Sequence, residues 1–324
     1  MKERVAYFDF LRGLAIMMVV GIHTYTLGED STAIRQLLNT AVPLFIAISG
    51  YFLSQKKMEN KDDYLFFLKK QLPKVYFPVL VWSLPLYALA LYSGSSIIKQ
   101  TILLLGCGIS IYYFVAFIMQ CYVFLPVINI CISGNKRMGV IISCLISLVW
   151  IAGVVYMSTM QGRGIPLILY AGPLPCWLMF FVLGVVIGHK PERNYSIILP
   201  IVITILGFIL SVIESDYLLD HYGKGVGIKP SSFIYSTGMI FLMFSNKVEK
   251  LLSQTGVIYK FIIWIGSLSF SIYLIHCYFV NYLVKRLPID SWLLQWAIAL
   301  FLTVVFILIL RKLLSTKYHK YLGL

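Results

Sequence analysis

The sequence predicts an all-α fold, a polytopic transmembrane helical bundle of about ten spans with both termini in the cytoplasm. Three observations lead to this class. Of the 324 residues 60% are hydrophobic, only 12% are charged, and the apolar residues fall into runs of about 20. A helix of that length crosses the hydrocarbon core of a bilayer, and the mean hydropathy of +0.86 is typical of a membrane protein. We expect a single membrane domain over residues 1–324.

The predicted spans follow the apolar runs in chain order. They lie near residues 5–27, 35–54, 72–93, 110–131, 138–157, 174–189, 196–213, 230–246, 262–285 and 291–311. Residues 97–105 are apolar but too few to cross, so they predict a re-entrant or interfacial segment. The first run holds an arginine in its middle and lacks a small-residue cleavage site after it. We therefore interpret it as a retained helix and not as a signal peptide.

The basic residues predict the orientation. With the N-terminus inside, nineteen of the 27 Lys and Arg residues fall in cytoplasmic segments. Seven fall in outer segments, among them Arg35, and Arg12 lies within the membrane. This bias follows the positive-inside rule, so the formal net charge of +14 reflects topology and no nucleic-acid partner is expected. Membrane lipids are the expected surroundings, with the chain crossing the cell (inner or plasma) membrane many times.

The six cysteines lie in or beside apolar runs. None forms a Cys-x-x-Cys pair, and none joins a histidine at metal-ligand spacing. The sequence therefore predicts neither disulfides nor a metal site.

The first span contains three ionisable residues, Asp9, Arg12 and His23, in an otherwise apolar helix. Eleven positions, about three helical turns, separate Arg12 from His23, which predicts both side chains on one face roughly 16 Å apart. Asp9 is close enough to neutralise Arg12 partly. A charged Arg at mid-bilayer costs about 2.5–3.5 kcal/mol, which is tolerated where it faces a cavity or a ligand. Structural roles are the alternatives, with Arg12 as a cytoplasmic anchor and His23 as a hydrogen-bonding group between helices.

Four further residues are candidates for supporting the same site. Ser49 is also explained by close helix packing beside its neighbouring glycine. Tyr122 is polar enough to line a cavity, although Tyr at such depth usually serves packing. Lys74, at the end of the predicted cytoplasmic loop, either anchors that loop or holds phosphate as a point charge. His276 is a second intramembrane imidazole, which on pattern alone is a packing hydrogen bond.

Several stretches resemble the acyltransferase-3 family of membrane proteins. Arg12 and His23 match its Arg/Lys-x10-His signature, within the family-like run Asp-Phe-Leu-Arg-Gly-Leu-Ala at residues 9–15. Other family-like segments are residues 42–53, 112–126, 177–188 and 265–276. The pattern departs from the family at residues 69–78, where Gln71 and Lys74 stand at the positions of two family arginines. The resemblance covers nearly the whole chain.

The resemblance implies a membrane O-acyltransferase, usually an O-acetyltransferase, which acylates a hydroxyl of a cell-surface polysaccharide, peptidoglycan or related carbohydrate or glycolipid acceptor. Cytoplasmic acetyl-CoA is the implied donor. His23 would be the general base, with an acyl-His intermediate as a variant, while Arg12 and Lys74 hold the CoA phosphates. Asp9 would orient Arg12, and His276 would shape the site. The predicted distance from Arg12 to His23 is comparable to an extended pantetheine arm.

A secondary transporter or flippase is the competing function class. It would move a glycan or metabolite without acyl chemistry, and intramembrane Arg and His suit a proton-coupled carrier equally well. Two features disfavour it. No inverted repeat is visible, and the charges cluster in one helix instead of in matching halves.

Overall fold

The computed structural model describes residues 6–25, 31–56, 58, 60–189, 193–225 and 227–324. These ranges contain α-helices and no strand, which confirms the predicted all-α class. The helices are α1 (Ala6–Thr24), α2 (Thr32–Leu38), α3 (Ala41–Ser54), α4 (Lys61–Tyr92), α5 (Ile97–Leu105), α6 (Tyr113–Gly134), α7 (Lys136–Val155), α8 (Leu167–Ala171), α9 (Leu174–Gly188), α10 (Ile198–Tyr222), α11 (Pro230–Met243), α12 (Asn246–Ser253), α13 (Val257–Ser267), α14 (Ser269–Tyr282), α15 (Trp292–Leu313) and α16 (Thr316–Leu322). A π-helical turn at Tyr156–Met160 extends α7.

Seven helical segments of the described chain are long and apolar enough to cross a membrane. They are α1, α2 with α3, α4, α6, α7 with its π-helical turn, α10 and α15. The pair α13–α14 is an eighth candidate, bent by 79° between its two helices. The predicted spans 174–189 and 230–246 correspond to α9 and α11, which have 15 and 14 residues. The polytopic membrane class is thus confirmed, while ten spans and cytoplasmic termini stay predictions.

Helix α4 begins earlier than predicted. The third span was predicted to begin near residue 72, but one helix of 32 residues, about 48 Å long, runs from Lys61 to Tyr92. The Asn60 side chain accepts a hydrogen bond from the backbone N–H of Asp63 at 2.8 Å and caps the first turn. This cap starts the helix well before the apolar run, so Lys74 lies in the interior of α4 and not near its start.

Helices α1 and α13 cross with their backbones in direct contact. A Cβ atom on Gly266 would lie 1.8 Å from the carbonyl oxygen of Asp9, and one on Gly13 would lie 2.0 Å from that of Ile262. Both positions therefore require glycine, since small residues permit close helix approach where no aqueous hydrophobic effect drives packing. The crossing fixes the turn of α1 that carries Arg12.

The predicted ninth span, residues 262–285, is not one straight helix. Its bend follows the Gly266–Ser267 pair, and Ser267 donates its hydroxyl hydrogen to the carbonyl of Trp264 at 2.7 Å. Gly/Ser pairs are a recognised cause of sharp helix kinks, because the serine competes for the backbone acceptors. After the kink, α14 lies against α1, with His276 beside His23.

We expect Gly266→Ala to destabilise the protein, because its methyl group would overlap the backbone of α1. Overpacking typically costs about 1–3 kcal/mol, and backbone offers less relief than a side chain. The measurement is thermal unfolding of the detergent-purified protein.

Gly153→Ala is the matched control, since nothing lies within 4 Å of a Cβ at that position in α7. The same substitution there should leave stability unchanged or raise it by up to about 1 kcal/mol. Equal melting temperatures of the two variants would contradict the close backbone contact between α1 and α13.

Candidate active site

A cavity of about 510 Å³ lies between α1, α2, α3, α6, α8, α9, α11 and α14, and we call it the chamber. Its polar lining consists of Arg12, His23, Arg35, Asn39, Ser49, Tyr113, Tyr170, Ser232, Ser269 and Tyr273. The rest of its lining is mainly aliphatic and aromatic, and its described residues include no carboxylate. Its size is that of a small-molecule site.

One face of α1 supplies both predicted functional residues. Arg12 and His23 line the same chamber, together with Val19 and Ile22, which lie on the same helical face. This arrangement agrees with the geometry predicted from the eleven-residue spacing. The two side chains therefore open into one space, and neither is confined to lipid.

The Arg12 end of the chamber holds a charge pair. Arg12 Nη1 donates to Asp9 Oδ1 at 2.8 Å, and the Asp9 residue is only 4% exposed. The guanidinium also lies over the ring of Phe52, 4.9 Å from its centroid. The carboxylate and the aromatic face both stabilise a cation, so Arg12 is held charged and in a defined orientation.

A pair of histidines forms the other end. The ring centroids of His23 and His276 are 5.3 Å apart, and His276 is fully buried. His276 Nδ1 lies 2.8 Å from the carbonyl oxygen of Ile272. A carbonyl only accepts, so Nδ1 carries the proton and Nε2 has the lone pair. No hydrogen bond to a described residue engages the His23 ring, which leaves its nitrogens available to a molecule in the chamber.

Cys277 lies against these histidines. Its Sγ is 3.5 Å from His276 Nε2, and the ligand atoms of His23, His276 and Cys277 all lie within 4.8 Å of one another. Imidazole nitrogen and thiolate sulfur are ligand types that suit zinc or copper. Sequence spacing does not predict this cluster, because α1 and α14 meet only in the folded protein.

The prediction that Arg35 lies in an outer loop is wrong. Ser31 caps α2 by accepting a hydrogen bond from Ala33 N at 3.3 Å, so Arg35 is helical and its side chain lines the chamber. Its Nη1 donates to the carbonyl of Ile22, the residue before His23, at 2.5 Å. Within the described part of the chain, its buried Nε has no hydrogen-bond partner.

A sequence signal for Arg35 did exist. Arg35, Asn39, Val42 and Ser49 recur at helical spacing, and all four line the chamber. These four residues form one face that runs from α2 into α3. Ser49 thus faces the chamber, while its hydroxyl donates to the carbonyl of Phe45 at 2.9 Å.

A buried polar network holds α2 through hydrogen bonds to Gln36. Lys229, counted with the outer charges from sequence, is fully buried, and its Nζ donates to Gln36 Oε1. Gln36 Nε2 donates to Ser215 Oγ at 3.1 Å, and Ser211 Oγ donates to Gln36 Oε1 at 2.9 Å. Burial lowers the pKa of Lys229 to about 8, against the opposing influence of Glu214. The network connects α2 with α10 and the start of α11.

Four predicted site residues are not part of the chamber lining. Asp9 and His276 contact the lining residues Arg12 and His23, whereas Lys74 and Tyr122 lie elsewhere. Lys74 is exposed on α4, near Lys56 and Lys70. Burial lowers the pKa of Lys56, and the positive charges of Lys74 and Lys70 lower it further. Tyr122 is half-buried and packs edge-on against Phe67, with ring centroids 5.4 Å apart. The structure thus places Arg12, His23 and Ser49 on one lining, with Asp9 bonded to Arg12 and His276 beside His23, but brings neither Lys74 nor Tyr122 to them.

We expect Asp9→Asn to destabilise the protein by about 1–3 kcal/mol, because Arg12 would lose its anionic partner in a largely buried place. The double variant Asp9→Asn/Arg12→Gln should lose less than the sum of the single variants. Thermal unfolding measures all three. Asp62→Asn, on the exposed first turn of α4, is the control and should melt like the wild type; additive losses in the first set would refute the pairing.

Comparisons with known proteins identify the family of the chain. The acyltransferase-3 family model, described as an acyltransferase domain, matches residues 5–312. The chain is 25% identical over 284 residues to the “Putative membrane-bound acyltransferase YfiQ” of Bacillus subtilis (strain 168), covering 82% of this chain and 75% of that protein. No solved structure matches the chain. The protein is a polytopic membrane protein that belongs to the acyltransferase-3 family.

Proposed function

We propose that the protein is an O-acetyltransferase of the cell membrane, which moves an acetyl group from cytoplasmic acetyl-CoA to a hydroxyl of a cell-surface carbohydrate or glycolipid. Family membership supports the reaction class. The observation that carries the proposal is one chamber lined by both Arg12 and His23. It offers a cation for phosphate and a base for a hydroxyl within a single space.

His23 acts as the general base. One ring nitrogen accepts the proton of the acceptor hydroxyl while the oxygen attacks the acyl carbon. The new C–O ester bond forms as the C–S bond breaks, and the imidazolium returns its proton to the departing sulfur. The products are an O-acyl ester and a free thiol. His276 packs beside the base and restricts its orientation.

The chamber fits the chemistry of an acyl-CoA donor. Acyl-CoA supplies an activated thioester at the end of a flexible arm whose other end carries phosphates. Arg12 would hold phosphate at one end, and His23 lies about 16 Å farther along the helix by its rise per residue. Lys74, with Lys56 and Lys70, supplies further positive charge outside the chamber for the remaining phosphate.

The membrane separates donor from acceptor. Acyl-CoA is a cytoplasmic metabolite, whereas surface glycans are completed outside. If Arg12 faces the cytoplasm, as the charge bias predicts, His23 lies toward the outer leaflet and the acyl group crosses within the chamber. Profiling the surface glycans of a deletion strain for lost O-acetyl groups identifies the acceptor.

A transporter is distinguished by its products. With labelled acetyl-CoA and acceptor, the purified protein should release free CoA in step with labelled ester. A carrier would move its cargo with acetyl-CoA intact. Family membership counts against the carrier.

We expect His23→Ala to lower acetyl transfer by about 10²–10⁴-fold, because general-base catalysis contributes that much. Membrane insertion and thermal stability should be retained, since the His23 ring is hydrogen-bonded to no described residue. The matched control is His221→Ala, an exposed histidine at the end of α10. Wild-type transfer by His23→Ala would refute the assignment.

We expect Arg12→Gln to raise KM for acetyl-CoA by about tenfold, equivalent to about 1.4 kcal/mol of lost phosphate binding. Arg12→Lys should recover part of the loss, and Lys74→Gln should raise KM less. Steady-state kinetics measures kcat and KM separately. Arg137→Gln, exposed at the start of α7, is the control; a fall in kcat alone for Arg12→Gln would contradict donor binding.

A further inference from the structure

A second cavity, of about 280 Å³, adjoins the chamber, and we call it the vestibule. It shares Ile165, Tyr170, Gly227 and Ile228 with the chamber lining. Asn39, which follows α2 and lines the chamber, donates an Nδ2 hydrogen to the carbonyl of Gly227 at 3.3 Å. The vestibule therefore meets the chamber at the end where α2 lies, the end of His23 and Arg35.

The vestibule is lined by cations and hydroxyl groups. Arg163 and Lys224 are its charged residues, and both are exposed to solvent. Ser158 and Thr159 come from the π-helical turn that ends α7, an irregularity often found at functional sites. No carboxylate belongs to the lining in the described ranges. The described lining therefore offers an anion positive charge and hydroxyl groups.

Arg35 continues this positive charge into the chamber. Its Nε is buried and has no hydrogen-bond partner among the described side chains and backbone, although Nη1 is engaged by Ile22. Leaving a buried donor unpaired costs about 1–3 kcal/mol, and more for a charged group. The Arg35 guanidinium carbon lies 5.9 Å from the ring centroid of Tyr25, and this aromatic face supplies no acceptor atom for Nε.

We propose that the vestibule and the His23 end of the chamber bind an anionic acceptor, a carbohydrate or polyol chain that carries carboxylate or phosphate close to the acylated hydroxyl. Arg163 and Lys224 attract the chain, and Arg35 binds the anionic group nearest the reacting hydroxyl. Charge-assisted hydrogen bonds to arginine give such binding its strength. The inference rests on the proposed function, because it names the class of acceptor for the same site.

Direct binding without acyl-CoA tests this inference, with the full chain in nanodiscs of zwitterionic lipid. The probes are fluorescent oligomers of equal length: oligogalacturonate with carboxylates, poly(ribitol phosphate) with phosphates, and neutral oligogalactose. At least one anionic probe should bind tenfold or more tightly than the neutral one, and high salt should weaken it. The preferred anion distinguishes carboxylate from phosphate. Equal binding of all three probes, or binding of none, would overturn the proposal.

Charge-neutralising variants locate the binding. Arg163→Gln/Lys224→Gln should weaken the anionic probe at least tenfold and leave the neutral probe unchanged. The control Lys136→Gln/Arg137→Gln removes the same two residue types from exposed positions at the start of α7. Equal effects of the two double variants would overturn the proposal. Arg35→Gln should weaken the anionic probe further.

Acetyl-CoA turnover, assayed separately with each oligomer as acceptor, distinguishes this inference from the proposed function. Selective anion binding without CoA release would refute the acyl transfer and leave the binding site. CoA release with the neutral oligomer alone would support acyl transfer and refute the anionic acceptor site.

Discussion

The structure depends on keeping a guanidinium charged within a membrane helix. On its own such a group costs about 2.5–3.5 kcal/mol at mid-bilayer. Here Asp9 accepts its hydrogen bond, Phe52 lies beneath it, and the chamber gives it a polar opening. All of these contacts require α1 to lie against its neighbours without a gap, which the backbone contact at Gly13 and Gly266 provides. A displaced α13 would expose the ion pair to lipid.

The chamber lining combines cations, hydroxyl groups and phenols with aliphatic and aromatic side chains. Arg12 and His23 lie about three helical turns apart on α1, so the lining extends along that length of the helix. Arg35 adds a second arginine from α2. Polar groups from several helices therefore line one cavity, which no single helix could supply.

Sequence reasoning succeeded where the information lay within one helix. The spacing of Arg12 and His23 determines a common face whatever surrounds α1, and the spacing of Asp9 determines its pairing. It failed where partners came from distant helices. Cys277 reaches His23 only through the kink between α13 and α14, and Lys229 is buried only because Gln36 reaches it from another helix. Such positions are set by tertiary packing.

The errors in the predicted helix boundaries had a different cause. The spans that contain Lys74 and Arg35 were predicted to begin near residues 72 and 35, each at the end of a predicted loop. In each case an Asn or Ser cap starts the helix several residues before the apolar run begins. The cap signals were present in the sequence, but the hydrophobic run dominated the assignment of boundaries.

The kink before α14 has a consequence for the interior of the membrane. Every α-helix leaves the amide groups of its first turn without partners inside the helix, and no described side chain caps α14. That turn includes Ser269, which lines the chamber. Hydrocarbon offers these amides no hydrogen-bond acceptor. The start of α14 therefore brings backbone hydrogen-bond donors to the chamber wall beside Ser269.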